Sequence, residues 1–269
     1  MTTKNNYALI TGATSGIGYE LAKLFAHDGY NLIIVARDAV DLKKVAVEFS
    51  QQYGVDVVKI STDLFDTQNA FDLYDKIKSQ GFTVSVLVNN VGQGLYGEFI
   101  ETDIQRELDI IHLNISSLII LTKKFLQDMV SRGEGKILNL ASVASKMPGP
   151  LQSVYYGTKA FVHSFSESVR EEVKDKGVTI TSLLPGATDT DFFNKADMLD
   201  AKNIKEGMKE GKLADPADIA KAGYDALMAG DDMVVPGLKN KIRIAMSNLT
   251  PDSVLAEQSH KKHAPSSEK

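Results

Sequence analysis

The feature that most constrains the fold of this chain is an alternation of short, β-branched apolar runs with longer segments of helical periodicity. Such an alternation is typical of βαβ units, in which helices join parallel strands and cover the sheet. Most of the runs are continuously apolar, as expected when both faces of a sheet are buried. The sequence therefore predicts an α/β, doubly wound fold with a parallel sheet of about seven strands and helices on both faces. The predicted strands cover residues 7–11, 31–36, 55–60, 84–89, 136–141, 179–184 and 233–236.

The 269 residues suffice for one α/β domain, and no repeat or linker divides the chain. We expect a single domain over residues 1–236. Within it, the polar stretch 190–212 interrupts the alternation and is predicted to form a mobile substrate loop. Residues 237–249 read as an apolar extension, and the polar residues 250–269 are expected to form a disordered tail.

Composition and charge exclude several classes of function. A formal net charge of -5 provides no basic surface, so no nucleic-acid partner is expected. The chain has no cysteine and its five histidines are scattered, so no metal site is expected. No apolar run is long enough for a membrane span, and residues 7–10 are too short for a signal-peptide core. We therefore expect a cytoplasmic protein.

A glycine-rich turn, Thr-Gly-Ala-Thr-Ser-Gly-Ile-Gly at 11–18, joins the first predicted strand to a predicted helix. Gly12 can form the tight turn, Gly16 leaves room for a diphosphate, and Gly18 lets the helix approach the strand. The N-terminus of the helix would then face the anion. The alternative is a turn that merely needs flexible residues. The residues expected to contact a dinucleotide here are Gly12, Thr14, Ser15, Gly16, Ile17 and Gly18.

Tyr155 and Lys159 are four residues apart in a predicted helix, so their side chains project from one face. An ammonium about 4 Å from the phenol, at an effective dielectric of ~20, would lower the tyrosine pKa from ~10 to about 7. Ser142, at the end of the fifth predicted strand, would meet Tyr155 at the carboxyl edge of the sheet. Each residue alone has an ordinary explanation: chance spacing, a strand-end cap, or a polar helix residue in the case of Asn114. Their joint spacing with the glycine turn favours a catalytic site.

These motifs, Thr-Gly-x-x-x-Gly-x-Gly and Tyr155-x-x-x-Lys159 with Ser142 before them, resemble those of the short-chain dehydrogenase/reductase family. The resemblance covers about residues 7–236 and implies a Rossmann-type fold. It also implies that Ser142, Tyr155 and Lys159 are catalytic, and that Asn114 holds a water that relays protons to the lysine. Val91 stands where the family usually has alanine. The resemblance adds as cofactor-binding residues Asp63, Leu64, Asn90, Gly92, Tyr155, Lys159, Pro185, Gly186, Thr188 and Thr190.

The residues that follow the second strand bear on the choice of cofactor. In the family, a carboxylate at the position of Ala36 would bind the free ribose hydroxyls of NAD and repel a 2′-phosphate. Arg37 instead offers a cationic fork for that phosphate, so NADP(H) is the predicted cofactor. The alternative is that Arg37 only pairs with Asp38 or Asp41.

The resemblance implies an oxidoreductase that interconverts a ketone or aldehyde and an alcohol, with Tyr155 as general acid/base. A redox sensor that binds NADP(H) without catalysis is the main alternative, and an epimerase or dehydratase is a second. Apolar residues within 94–99, 147–152 and 192–208 predict an apolar small-molecule substrate. A homodimer or homotetramer is expected by resemblance, through helices predicted over residues 103–130 and 153–174.

Overall fold

A parallel sheet of seven strands lies at the centre of the computed structural model, which describes residues 6–265. The strands are β1 (Asn6–Thr11), β2 (Asn31–Ala36), β3 (Val57–Ser61), β4 (Thr83–Asn89), β5 (Gly135–Leu140), β6 (Val178–Leu183) and β7 (Met233–Val234). Their order is β3-β2-β1-β4-β5-β6-β7. The predicted fold class is confirmed, because the sheet has seven strands that all pair in parallel. Each strand also begins and ends within two residues of its predicted bounds.

Helices cover both faces of the sheet. The helices are α1 (Gly16–His27), α2 (Ala39–Tyr53), α3 (Thr67–Ser79), α4 (Ile104–Ile111), α5 (Ser117–Arg132), α6 (Ser153–Val173), α7 (Phe192–Lys195), α8 (Lys202–Lys209), α9 (Pro216–Ala229), α10 (Leu238–Ser247) and α11 (Asp252–His263). On one face, α1, α2 and α9 bury Phe25, Phe49 and Leu227 against the strands. On the other, α3 and α5 bury Ile77 and Phe125. The apolar faces of the strands thus form one core on each side of the sheet.

The order of the strands reverses at β1, which pairs with β2 on one side and β4 on the other. In doubly wound sheets, ligands bind at the carboxyl ends of the strands where this reversal occurs. The glycine turn after β1 therefore lies at the expected position of a ligand crevice.

The helix predicted over residues 103–130 is divided by a π-helical segment, His112–Ser116, between α4 and α5. Asn114 is the central residue of this segment and is buried. One-turn π-helical insertions are frequent at functional sites, because they change the direction of the side chains that follow. The apolar periodicity continues through the insertion, so the insertion could not be predicted from the sequence.

Residues 190–212 contain the short helices α7 and α8 rather than a featureless loop. Their apolar side chains form a small cluster of their own, with Phe193, Met198 and Ile204 buried. The sequence did not predict this cluster, because the segment is mostly polar. In the structure, the charged residues of the segment lie on its outer face.

The prediction of a disordered tail over residues 250–269 is wrong for the part that the structure describes, because residues 252–263 form α11. The Tyr96 hydroxyl donates to the carbonyl oxygen of His263 at 2.5 Å. The amide of Lys202 donates to the carbonyl oxygen of Ala264 at 3.2 Å. The helix has no apolar stripe, so distant residues rather than its own pattern hold it in place. Residues 1–5 and 266–269, which include the end of the predicted tail, lie outside the described residues.

Among residues 6–265, no helix has the length and hydrophobicity needed to cross a membrane. Over the same residues, no cluster of three or more histidine, aspartate or glutamate side chains could hold a metal ion.

Candidate active site

The glycines of the turn between β1 and α1 stand at positions with no room for a side chain. Gly12 has a φ of 69° and Gly16 a φ of 55°, both in the left-handed region that favours glycine. A Cβ on Gly12 would lie 2.8 Å from Nδ2 of Asn90, and one on Gly18 would collide with the carbonyl oxygen of Gly12. That oxygen also accepts a hydrogen bond from Nδ2 of Asn90 at 3.2 Å. Close approach, and not flexibility alone, therefore requires these glycines.

The N-terminus of α1 is suited to an anion. Ser15 is the N-cap residue, but its side chain makes no capping hydrogen bond. By contrast, the carboxylate of Asp38 caps two amides at the start of α2. Amides at an uncapped helix start, together with the helix dipole, favour a bound phosphate. Thr14, Ser15 and Ile17 line the cavity in front of this terminus.

The end of β2 presents an exposed cation. The Arg37 guanidinium lies over the ring of Phe65, 5.3 Å from its centre. Neither acidic neighbour holds it, because Asp38 caps α2 and Asp41 pairs with Lys44 at 2.9 Å. The structure thus favours a guanidinium available to a ligand over the alternative of a surface ion pair.

Asp63 and Leu64, in the turn after β3, line the same end of the cavity. The carboxylate of Asp63 accepts from the amide of Phe65 at 3.1 Å. The carbonyl oxygen of Asp63 accepts from Nδ2 of Asn69 at 2.8 Å. Both hydrogen bonds hold the turn in one conformation beside Arg37.

Tyr155 and Lys159 project from one face of α6 into the cavity. The Nζ of Lys159 lies 5.9 Å from the centre of the Tyr155 ring. The same Nζ donates to the carbonyl oxygen of Leu140 at 2.7 Å. A Cβ on Gly92 would lie 3.1 Å from this nitrogen, so a glycine there leaves space beside the amine.

Ser142 faces Tyr155 from the end of β5. It is the N-cap of a 3₁₀ turn, Val143–Lys146, and its hydroxyl accepts from the amide of Ala144 at 3.1 Å. That hydroxyl is also within 3.4 Å of the carbonyl oxygen of Pro185 and hydrogen-bonds the Tyr155 phenol, which lowers the pKa of the phenol. The serine is thus both the predicted strand-end cap and a neighbour of the phenol.

Asn114 lies behind the cavity wall. Its Oδ1 accepts from the amide of Gln93 at 2.9 Å, and its Nδ2 donates to the carbonyl oxygen of Gln93 and the hydroxyl of Thr158, both at 2.9 Å. The side chain therefore ties the turn after β4 to α6. A Cβ on Gly92 would lie 3.4 Å from its Oδ1 and 3.1 Å from the Lys159 amine, so both side chains border that glycine.

The segment after β6 completes the wall beside Ser142. Pro185, Gly186, Thr188 and Thr190 all line the cavity. The Thr188 hydroxyl donates to the carbonyl oxygen of Gly186 at 3.0 Å, which fixes the turn. A Cβ on Gly16 would meet the methyl group of Thr190 at 2.9 Å, so this segment closes over the glycine turn.

One cavity of about 620 Å³ joins these groups. Its wall contains every residue predicted for the site except Gly18 and Asn114, which lie directly behind it. Known ligand cavities have volumes of about 300–1,000 Å³, so the size suits a cofactor or a drug-sized molecule.

The family model that describes short chain dehydrogenases matches residues 6–199. The chain belongs to this family. Relatives within it include the very-long-chain 3-oxoacyl-CoA reductase of Anas platyrhynchos, 38% identical over 66% of this chain and 58% of that protein. The 17-beta-hydroxysteroid dehydrogenase type 3 of Mus musculus is 34% identical over 76% of this chain and 67% of that protein. The chain thus matches little more than half of the length of the first of these relatives.

Solved structures of the family share the fold over almost the whole chain. The short-chain dehydrogenase from Sphingobium yanoikuyae in complex with NADPH has a TM-score of 0.80 and 26% identity, covering 91% of this chain and 94% of that one. The uncapped helix start, the close-packed glycines and Arg37 in the present structure fit a nicotinamide dinucleotide.

Burial determines the charge states of the two central groups of this short-chain dehydrogenase. It raises the pKa of the Tyr155 phenol, against the hydrogen bond from Ser142, and lowers the pKa of Lys159 to about 8. The expectation that Lys159 would bring the tyrosine pKa to about 7 is therefore wrong. Removal from water favours both neutral forms, and the amine is directed toward Leu140 rather than toward the phenol oxygen.

Part of the cavity wall comes from residues that the sequence did not single out for the site, namely Tyr156, Arg243 and His263. In the sequence, Tyr156 can be explained by core packing. Arg243 lies within the predicted apolar extension 237–249, and His263 lies within the predicted tail 250–269. Of the predicted apolar pocket residues, Phe192 and Phe193 line the cavity, whereas Phe99 is 59% exposed. Tyr156 lies next to Tyr155 on α6. No local pattern marks Arg243 and His263, because only the tertiary fold brings α10 and α11 to the site.

Proposed function

We propose that this short-chain dehydrogenase is an NADP(H)-dependent oxidoreductase that interconverts a ketone or aldehyde and the corresponding alcohol. The observation that carries the proposal is that Tyr155, Lys159 and Ser142 line the same cavity as the glycine turn. A protein that only sensed the cofactor would have no use for a buried phenol, amine and hydroxyl in one cavity.

In reduction, the bound cofactor would supply a hydride to the carbonyl carbon. Tyr155 donates its proton to the carbonyl oxygen, and Ser142 donates a hydrogen bond to that oxygen as negative charge develops on it. Lys159, with its pKa near 8, exchanges protons at neutral pH and returns one to the phenolate. Asn114 fixes the turn beside this amine and, as the family resemblance implies, holds the water that relays the proton.

The raised pKa of Tyr155 determines which form of the phenol is present before the reaction. At neutral pH the phenol keeps its proton and is therefore ready to donate it. Carbonyl reduction needs this protonated form at the outset, whereas alcohol oxidation needs the phenolate. The protonated phenol is thus the form from which the proposed carbonyl reduction starts.

The preference for NADP(H) rests on the end of β2. Ala36 has no carboxylate to repel a 2′-phosphate, and neither Asp38 nor Asp41 pairs with the guanidinium of Arg37. The family member from Sphingobium yanoikuyae was solved with NADPH, which is consistent with this preference.

The proposed substrate is apolar next to the reacting carbonyl. Phe192 lies with its ring centre 5.2 Å from that of Tyr155, and Phe193, Met198 and Ile204 form the buried cluster behind it. These side chains offer an apolar surface to the carbon skeleton of a ketone.

A panel of ketones and aldehydes, followed by loss of NADPH absorbance, tests the proposal. We expect turnover with at least one bulky ketone and a slower reaction with NADH. If NADPH binds by calorimetry but no carbonyl compound is reduced, and no alcohol is oxidised with NADP, the redox-sensor alternative takes its place.

We further propose a cytoplasmic location and a homodimer or homotetramer formed through α5 and α6. On α6, the Phe161 ring is 37% exposed and stacks on Phe165 with ring centres 5.7 Å apart. Light scattering after size exclusion would give the oligomeric state, and Phe161→Glu is expected to reduce it.

A further inference from the structure

Four lysine or arginine side chains line the cavity within the described part of the chain. Arg37 lies at the end of β2. Lys159 donates to Leu140 at 2.7 Å, and Lys195 pairs with Asp191 at 2.9 Å. Arg243 alone remains without an assigned task, and no carboxylate within residues 6–265 pairs with it.

Arg243 is held at the catalytic end of the cavity by its own helix. The next residue, Ile244, is buried in a cluster with Val143 and Leu184, and Val143 directly follows Ser142. Nearer the start of α10, Nδ2 of Asn240 donates to the carbonyl oxygen of Pro236 at 2.9 Å. The helix that carries Arg243 is therefore anchored beside the segment that follows Ser142.

The neighbours of Arg243 leave its charge uncompensated. It lies close enough to the Tyr156 hydroxyl to lower the pKa of that phenol. Burial and the nearby cations lower the pKa of His263, so at neutral pH that imidazole adds no second charge. The Oδ1 of Asn203, which also lines the cavity, is buried without a hydrogen-bond partner. The wall thus presents one uncompensated cation; the amide oxygen can only accept a hydrogen bond and takes no part in holding an anion.

A partly desolvated guanidinium without a counter-charge is costly, and a bound carboxylate would offset this cost with paired hydrogen bonds. We propose that the substrate is an oxo acid, whose carboxylate is bound by Arg243 while its carbonyl group meets Tyr155 and Ser142. This inference rests on the proposed function and specifies the substrate class of the same site. The phenyl rings of Phe192 and Phe193 would contact the carbon chain between the two polar ends.

The test compares straight-chain oxo acids of increasing length with their methyl esters, which lack the negative charge and carry one additional methyl group. For the wild type with NADPH, we expect kcat/KM to be about tenfold or more higher for the best oxo acid than for its ester. Arg243→Gln should abolish this preference by raising the KM for the acid far more than the KM for the ester, while the KM for NADPH stays close to that of the wild type. Lys241→Gln is the matched control, because this exposed lysine lies on the same helix outside the cavity.

The outcomes separate this inference from the proposed function. Reduction of the esters as fast as the acids, or an acid preference that survives Arg243→Gln, overturns the carboxylate site and leaves the oxidoreductase intact. A change confined to the KM for NADPH would assign Arg243 to the cofactor and also overturn it. Calorimetry with the Tyr155→Phe protein, loaded with NADPH, detects oxo-acid binding without turnover, and no binding there would again count against the site.

Discussion

Lys159 follows Tyr155 by one helical turn, with its Nζ 5.9 Å from the centre of the phenol ring and 2.7 Å from the carbonyl oxygen of Leu140. The amine is thus anchored to the end of β5, the strand that also leads to Ser142. One backbone carbonyl therefore fixes the distance between the helix that carries the phenol and the strand that carries the hydroxyl. Because the amine and the phenol are both buried, the pair stores a proton on the phenol and exchanges protons through the amine.

Replacement of Tyr155 by phenylalanine removes the proton donor and little else. We expect kcat to fall by about 10²–10⁴-fold, the usual contribution of a positioned acid. The affinity for NADPH, measured by fluorescence titration, should change less than threefold. Tyr74→Phe is the control, since Tyr74 is a tyrosine of α3 that hydrogen-bonds Asp128 on the surface. Wild-type turnover by the Tyr155→Phe protein would contradict the assignment.

Arg37 and Ala36 are expected to set the preference between the two nicotinamide dinucleotides. Arg37→Ser should lower kcat/KM for NADPH about 10-fold to 100-fold, because a charge-assisted contact to the 2′-phosphate is lost. The value for NADH serves as the internal control and should stay unchanged. Ala36→Asp should make kcat/KM higher for NADH than for NADPH, since a carboxylate repels the 2′-phosphate. Equal losses with both cofactors would show that Arg37 acts on the fold instead.

The parts of the fold that the sequence predicted are those specified by local patterns. Strand bounds followed from apolar runs. The start of α2 is also a local feature, because the carboxylate of Asp38 caps the helix and aspartate is a common N-cap residue. The glycine turn and the Tyr155-x-x-x-Lys159 pair were visible because each motif is contiguous. In a doubly wound sheet the carboxyl ends of the strands lie at one edge, so the fold itself places the glycine turn near this pair.

The parts that escaped prediction depend on distant partners. His263 is buried only because Tyr96 and Tyr156 lie across the cavity from α11, more than 100 positions earlier in the chain. The pKa of Tyr155 was predicted in the wrong direction because a sequence spacing gives a side-chain direction but not the extent of desolvation. Arg243 is one of several cations on α10, and the sequence does not tell which of them faces inward.

Gly18 and Gly157 form a matched pair of glycine-to-alanine substitutions. A Cβ at position 18 would overlap the carbonyl oxygen of Gly12, so Gly18→Ala should lower the free energy of unfolding by about 1–3 kcal/mol and weaken NADPH binding. Gly157 has nothing within 4 Å of its Cβ position and lies inside α6, so Gly157→Ala should stabilise the protein by about 0.5–1 kcal/mol. Urea unfolding measures both. An equal effect at the two sites would refute the close packing at the turn.

His163, one turn beyond Lys159, provides a test of stability against pH. Its Nε2 accepts from Nζ of Lys146 at 2.5 Å, and burial together with this cation lowers its pKa from 6.5 to about 4. The unfolded chain thus binds a proton that the folded protein does not. Stability is therefore unaffected above pH ~6.5 and falls as the pH drops toward 4, by about 3 kcal/mol in all.

His163→Gln removes this titration, so the free energy of unfolding of the variant should fall less steeply than that of the wild type between pH 6.5 and 4. Urea unfolding at several pH values gives the two slopes, and their difference cancels the shared contribution of the carboxylates. His27→Gln, at an exposed position, controls for loss of an imidazole. Parallel slopes for wild type and His163→Gln would mean that the imidazole is already protonated in the fold, which its contact with the Lys146 ammonium opposes.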